Sequence, residues 1–311
     1  MLESLIKYNE IKKNPWLMMF WAILISSVGV LFSIQLAYTI SLSGSTVNLA
    51  GVFAVMFTII PSVYFLTNYI KREELQDEKD VEAHYEKGIL QRHYMDILVF
   101  GFYFTGLTVS FAFWGFMLPA DTFQVQTMKV QDIRSTSGGF MDMAEGNMMT
   151  GEALSGDYFA SFERVFWNNL QVTAFSFVFS ILFGAGAIFI IVWNASILGV
   201  FIGRLSETII HIPVQSIPFL PHGIPEIGGY LVAGLAGGII SAAVIRGHNR
   251  KILTGVSKDA GKLMAIALLF IFLGALIETM DFLTRLVAIF VFYSIFIYMI
   301  TVALTPLRKQ R

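Results

Sequence analysis

The sequence contains no cysteine. That removes disulfides, thiolate metal sites and cysteine nucleophiles from consideration. Histidine is scarce, at five residues, and no His-Glu-x-x-His pair occurs. Charged residues make up only 14% of the chain, against about 25% in ordinary soluble domains. The formal net charge is −1, so no strong basic field points to nucleic acid, and no nucleic-acid partner is expected. None of the glycine-rich stretches is followed by the Lys-Ser/Thr of a phosphate-binding loop. No cleavable signal peptide is evident: Met1–Asn14 is an amphipathic, Lys-containing stretch, and the apolar run after it is too long for a signal core.

What is present in excess is hydrocarbon. Hydrophobic residues are 56% of the chain and the mean hydropathy is +0.68. Several apolar runs reach the roughly 20 residues needed to cross about 30 Å of lipid. The pattern predicts clear spans at Trp16–Ile40, Val47–Ile70, Asp96–Leu118, Leu170–Trp193, Glu226–Ile245, Gly261–Met280 and Leu283–Leu304. The SLSGST turn pairs the first two spans. A charged, helical connector, KREELQDEKDVEAHYEKGILQRHY, follows the second. Its plain role is a solvated linker, with a partner-docking helix as the alternative.

Lys and Arg in short loops set orientation. Lys7, Lys12 and Lys13 place the N-terminus in the cytoplasm, and Lys71, Arg72, Lys79, Lys87 and Arg92 place the connector there. The polar segment Pro119–Phe162 then lies outside, and Glu278 and Asp281 face outside in a later turn. Arg246, Arg250, Lys251, Lys258 and Lys262 also require the cytoplasm, as do Arg308, Lys309 and Arg311. One more crossing is therefore needed, and Ala195–Val214 is the candidate. It carries Arg204, Glu207 and His211; a lone Arg at membrane depth costs roughly 2.5 kcal/mol or more, and Arg204 with Glu207 can pair at i, i+3. The alternative is a re-entrant hairpin with seven true spans. The expected fold is all-α: a polytopic transmembrane bundle of about eight membrane-embedded helices, seven clear spans plus one short or broken helix at about 195–214.

The densest chemistry lies at 221–226, Pro-His-Gly-Ile-Pro-Glu, leading into a glycine-rich apolar helix. Intramembrane ionisable groups are functional-site hypotheses by default. Pro213, Pro218, Pro221 and Pro225 predict an irregular stretch that lines a cavity. Pro225 suits the first helical position and Glu226 the positive end of the helix dipole. His222 and Glu226 share a face if the spacing is helical. Three roles stay open for them: charge complementation at a helix start, a cavity or partner site, or metal ligation with His211 and perhaps Glu207. Zinc needs three or four ligands, so His211, His222 and Glu226 form only a marginal set.

Gly234, Gly238 and Ala242 make a small-residue stripe that lets another helix approach, and Gly184 and Gly186 are assigned the same packing role. Asn168 and Asn169 stand where the fourth predicted span begins, with Asn194 at its other end. Helix capping or interhelical hydrogen bonding accounts for them.

Three blocks, FERVFWNNLQV (Phe162–Val172), WNASILGVFIG (Trp193–Gly203) and PHGIPEIGGYLVAGLAG (Pro221–Gly237), together resemble the stage II sporulation protein M family. The matching positions are Asn168, Asn169, Asn194, Leu198, Gly199, Pro221, His222, Gly223 and Glu226. The resemblance runs over residues 90–305. It divides the chain into 1–95, a two-helix hairpin plus charged cytoplasmic linker, and 96–311, a family-like membrane domain with an extracytoplasmic loop at about 119–162. The resemblance implies an integral membrane protein; in spore formers the named member anchors cell-wall-degrading partners during engulfment. For this chain the expectation is a scaffold or permease-like subunit at the cell membrane, with both termini cytoplasmic and with protein partners or a homo-oligomer around it. An autonomous small-solute transporter and a membrane-embedded metal-dependent hydrolase using His222 and Glu226 are the alternatives. No residue is assigned to catalysis and no cofactor is called for.

Overall fold

The computed structural model describes residues 8–36, 39–42, 45–82, 89–137, 158–184, 186–247 and 250–304. The chain begins with a short α1 (Tyr8–Lys13) and the first long helix, α2 (Leu17–Gln35). Strands β1 (Thr39–Leu42) and β2 (Ser45–Asn48) follow, then α3 (Ala50–Glu82), α4 (Ile89–Met117), a 3-10 turn at Ala120–Phe123 and α5 (Gln124–Ser137). The second half holds α6 (Tyr158–Phe183), α7 (Ala187–Leu205), α8 (His211–Ser216), a 3-10 turn at Ile217–Phe219, α9 (Leu220–Ile245), α10 (Arg250–Thr279) and α11 (Phe282–Leu304). Among the described residues, eight helices are long and apolar enough to cross a membrane, with α8 and α9 counted as one 35-residue candidate, His211–Ile245. This is the all-α bundle that the hydropathy predicts.

The first two spans are joined by an antiparallel β-hairpin, Thr39 opposite Asn48 and Leu42 opposite Ser45, rather than by a bare turn. Alternating crossings put this hairpin, α5 and the turns at 206–210 and 280–281 on one face, and the described ends of the chain on the other. Side chains tie that hairpin face together. The Asn48 amide donates to Gln124 Oε1 at 2.9 Å, and Gln126 Nε2 donates to the Gly51 carbonyl at 3.0 Å.

Packing follows two groups. Helices α2, α3, α4 and α7 pack together as one group; α6, α9, α10 and α11 form the other. In the first, Trp21, Leu66, Tyr103, Leu107, Phe111 and Ile191 make the core. In the second, Val232, Ala233 and Ala236 of α9 meet Ala260, Leu263 and Ala267 of α10, so two backbones come close. Buried hydroxyls are satisfied at short range, as Ser26 to the Ala22 carbonyl at 2.6 Å and Tyr103 to Ser62 Oγ at 2.5 Å; in hydrocarbon such groups must find a partner within the protein.

Several boundaries differ from those the sequence suggests. The predicted span Leu170–Trp193 is two helices, because the chain reverses at 184–186. Gly184 adopts φ +67° there, a conformation that costs glycine little, and a Cβ on Gly186 would collide with the Phe179 carbonyl. These two glycines therefore serve a turn, not helix packing. Ser180 Oγ accepts from the Ala187 amide at 3.0 Å and satisfies the new helix start. The extra crossing is accordingly α7, Ala187–Leu205, earlier than 195–214, and it is a regular 19-residue helix rather than a broken one. The stretch Pro213–Pro225 is helical, not irregular: Pro213, Pro218 and Pro221 occupy first turns, where no intrahelical N–H is needed, and Pro225 alone sits inside α9. Segment 119–162 is not all loop, since it holds α5 and the start of α6. Residues 83–88 of the charged connector, 138–157, and Arg308, Lys309 and Arg311 lie outside the described residues.

Candidate functional site: a polar cavity inside the bundle

On the hairpin side of the bundle is a cavity of about 200 Å³. Helix α6 contributes Arg164, Val165, Asn168 and Asn169; α7 contributes Asn194, Ile197, Leu198 and Phe201; α9 contributes His222, Gly223, Glu226, Ile227 and Tyr230. Phe104 comes from α4, Lys129 and Val130 from α5, Phe219 from the 3-10 turn and Glu278 from the end of α10. Four of the sequence candidates, Asn168, Asn169, His222 and Glu226, thus meet across helices far apart in sequence, and Asn194 and Gly223 join them.

The polar side chains form a directed chain. Tyr230 donates its hydroxyl to Asn169 Oδ1 at 2.7 Å, and Asn169 Nδ2 donates to Glu226 Oε1 at 2.7 Å. Asn168 Nδ2 reaches Asn169 Oδ1 at 3.3 Å. The carboxyl group of Glu278 arrives from α10 beside that of Glu226 in the cavity lining. Asn169 is almost wholly buried, with 4% of its surface exposed. It lies on the buried stripe Val165, Asn169, Thr173, Ser176, Ser180 of α6, whose 3–4-residue spacing presents one helix face. Ser176 also donates to the Tyr230 carbonyl at 2.9 Å, so α6 and α9 are joined both at the site and below it. Asn169 is well inside α6, which begins at Tyr158. Its role is interhelical hydrogen bonding, not capping. Asn194 likewise is mid-helix in α7, with Nδ2 on the Ile190 carbonyl at 2.8 Å.

His222 and Glu226 are i, i+4 on α9 and share the cavity face. Pro221, not Pro225, takes the early helical position, so Glu226 stands beyond the first turn of α9 and not at its dipole end. The buried His222 ring packs edge-on against Phe219 at 6.1 Å, and Phe219 in turn against Phe201 at 5.5 Å. A Cβ on Gly223 would meet nothing within 4 Å, so this glycine leaves the cavity open.

The remaining candidates serve elsewhere. Arg204 does not pair with Glu207, because α7 ends at Leu205 and Glu207 is exposed in the turn. Its guanidinium donates instead to the carbonyls of Leu118 (2.9 Å) and Pro119 (2.7 Å), closing the end of α4. His211 is exposed at the start of α8 and outside the cavity lining, so the set His211, His222 and Glu226 is not assembled. Among the described residues no group of three or more His, Asp or Glu is placed to hold a metal ion. Gly199 is a packing residue: its Cβ would lie 2.6 Å from the Thr108 carbonyl of α4. Gly234 and Gly238 face the α6–α7 turn, where a Cβ on Gly234 would approach Ala187 Cβ at 2.5 Å and one on Gly238 the Gly184 carbonyl at 3.5 Å; Ala242 continues that side of α9.

Sequence reasoning missed Glu278, Tyr230, Gly274, Lys129 and Arg164. Glu278 is assigned to an outward-facing turn, yet it ends α10 with its carboxyl against Glu226. Gly274, one turn before it, makes the room: a Cβ there would lie 2.6 Å from Glu226 Cγ. The Gly-x-x-x-Glu spacing at the end of an apolar helix was the available signal, as was Tyr230 four residues after Glu226. Arg285 of α11 supports this corner by donating to the carbonyls of Glu278 (3.3 Å) and Met280 (3.2 Å). Asp281 caps α11, accepting from the amides of Leu283 (3.0 Å) and Thr284 (3.2 Å) and the Thr284 hydroxyl (2.7 Å). The Thr284 hydroxyl, then these amides, hold its carboxyl below the usual range.

Fold and site together define a polytopic membrane protein with an amide- and carboxyl-lined cavity between its helices. The family model for stage II sporulation protein M matches residues 97–285, and the chain belongs to that family. Every residue lining the cavity falls within this segment. A stretch of 122 residues is 33% identical to an uncharacterized protein of Methanocaldococcus jannaschii, covering 38% of this chain and 68% of that protein. No solved structure matches the chain.

Proposed function

We propose that this chain is a scaffold or permease-like subunit of the plasma membrane, with both termini cytoplasmic, and that its working centre is the cavity opening toward the extracytoplasmic hairpin face. The observation that carries this is the Tyr230–Asn169–Glu226 hydrogen-bond chain with the Glu278 carboxyl beside it. Polar and ionisable groups inside a membrane protein are costly and face interior cavities or pathways, and pure helix packing needs only the small residues seen elsewhere on α9. The orientation rests on the Lys and Arg distribution.

The absence of cysteine makes the test direct. Cysteine introduced at Gly223 is expected to react with a membrane-impermeant maleimide added outside intact cells, whereas cysteine at the buried Ala236 should not. Reaction at position 223 only after the cytoplasmic side is opened would reverse the orientation, and no reaction from either side would remove the cavity reading. The scaffold role predicts a stoichiometric partner retained in mild detergent and lost on charge reversal across residues 71–92. A chain that purifies alone, or one indifferent to that reversal, would count against docking through the connector.

A further inference from the structure

We propose that residues 206–219, which join α7 to α9, seat in the headgroup layer of the bilayer on the hairpin face, with lipid covering their outward side chains. Helix α9 alone has 26 residues, about 39 Å at 1.5 Å per residue, more than the roughly 30 Å of hydrocarbon requires. Counted from His211 the apolar run is 35 residues, about 52 Å, longer than the roughly 40–45 Å of a whole bilayer. The packing of α9 on α10 marks where the crossing ends. A Cβ on Gly229 would touch Ile271 of α10, and one on Gly274 would touch the Glu226 side chain and the His222 carbonyl. The same antiparallel register brings Leu220 level with the turn at 280–281. The chain before Leu220 therefore stands at or beyond the edge of the hydrocarbon.

Its side chains do not suit water. Ile210 is 78% exposed, Val214 59% and Ile217 58%, and Ile209 is exposed beside them. The backbone is right-handed helical at both Ile210 and Ile217, the two ends of α8, so steps of four and three put these residues on one face. Glu207 is the only carboxylate between 206 and 219, and no Lys or Arg occurs there. The opposite side is tied to the protein: Ile212 and Phe219 pack in one apolar cluster with Phe201 of α7, and Phe219 carries this contact into the cavity wall. Two observations make lipid the cover. The outward stripe runs on into Leu220 and Ile224 of α9, both exposed, a face that meets lipid because α9 crosses the membrane. The segment also begins and ends at the bilayer edge, since α7 finishes at Leu205 beside the end of α4, where Arg204 holds the Leu118 and Pro119 carbonyls. Pro218, Pro221 and Pro225 separate α8 from the body of α9. Helices bend at proline, which lets these first turns tilt toward the surface instead of rising into water. An apolar helix face seated about 5–10 Å into the headgroup boundary is the usual depth of an amphipathic segment.

The test uses single spin-labelled cysteines in the full-length chain, in nanodiscs of phosphatidylcholine. Ile210→Cys, Val214→Cys and Ile217→Cys are compared by collision of the label with oxygen, which concentrates in lipid, and with a water-soluble nickel chelate. Phe290→Cys, at an exposed position within α11, is the lipid reference, and Glu207→Cys, exposed in the turn, is the water reference. The three test labels are expected to show an oxygen-to-chelate ratio several-fold above that of Glu207→Cys and close to that of Phe290→Cys. The label on His211→Cys, one position from Ile210 but on another face, should fall back toward the water reference. Ile209→Cys takes the place of any labelled variant that loses the wild-type size-exclusion profile, with the same expected ratio. Ratios equal to that of Glu207→Cys at all the test positions would put this face in water and overturn the proposal. Labels shielded from both reagents would show that protein covers the face, a second copy or a partner, and would overturn it equally. The readout is the same whichever compartment the hairpin face meets.

Discussion

Asn169→Leu is expected to disable the site and to lower the thermal midpoint of the detergent-solubilised protein. Asn169 is the middle of the chain: Tyr230 donates to its oxygen and its nitrogen donates to Glu226. Leucine is close in size but offers neither, so a buried hydroxyl and a carboxyl lose partners together. Each buried polar group left unpaired costs about 1–3 kcal/mol, although interhelical bonds in membranes average nearer 0.6 kcal/mol because the reference state also finds partners. Tyr230→Phe should cost less, since it removes the donor along with its need, and Asn169 Oδ1 keeps Asn168 Nδ2 within 3.3 Å. The informative measurement is the double-mutant cycle. Asn169→Leu/Tyr230→Phe should be less destabilised than the sum of the single variants, because the double variant has no Tyr230 hydroxyl left to orphan. Strict additivity would mean that the chain seen in the structure is not an energetic unit.

Gly199→Leu is expected to have the largest effect on folding, with little protein recovered from membranes in a monodisperse state. Gly199 faces α4, and even a Cβ would lie 2.6 Å from the Thr108 carbonyl and 2.7 Å from Phe111 Cβ. Backbone cannot step aside as a flexible side chain can. Overpacking costs about 1–3 kcal/mol where neighbours can adjust, and here the α4–α7 contact that carries Asn194, Ile197 and Phe201 into the cavity wall would have to open. Gly223→Leu is the control of equal added volume, because nothing lies within 4 Å of its Cβ. Detergent size-exclusion profiles of the two variants decide the matter: a normal profile for Gly199→Leu would contradict the close crossing.

Much of the architecture was legible along the chain, because a membrane span is a local property. A helix in lipid satisfies its own backbone, so length and hydropathy suffice to find it. The boundaries were less legible where two helices follow each other without a polar gap. Leu170–Trp193 reads as one apolar run because the break at Gly184–Gly186 is a matter of φ, not of hydropathy. The four prolines misled for a related reason. Three of them fall in first turns, where proline and helix are compatible, so the run from His211 to Ile245 needs no irregular backbone.

The site was half legible. Asn168, Asn169, Asn194, His222 and Glu226 stand out because polar groups in apolar sequence require a reason, and that reasoning is independent of the fold. The sequence by itself determined that this is an all-α polytopic membrane protein of about eight embedded helices with a polar focus near 222–226, since hydropathy and the cost of intramembrane charge act residue by residue. Only the tertiary structure decided which groups share that focus. Glu278 and Asn169 lie 52 and 57 positions from Glu226, and they meet it because helices α6, α9 and α10 pack closely at Ser176, Gly234 and Gly274. Proximity of that kind is set by helix crossing, to which no local pattern of residues has access.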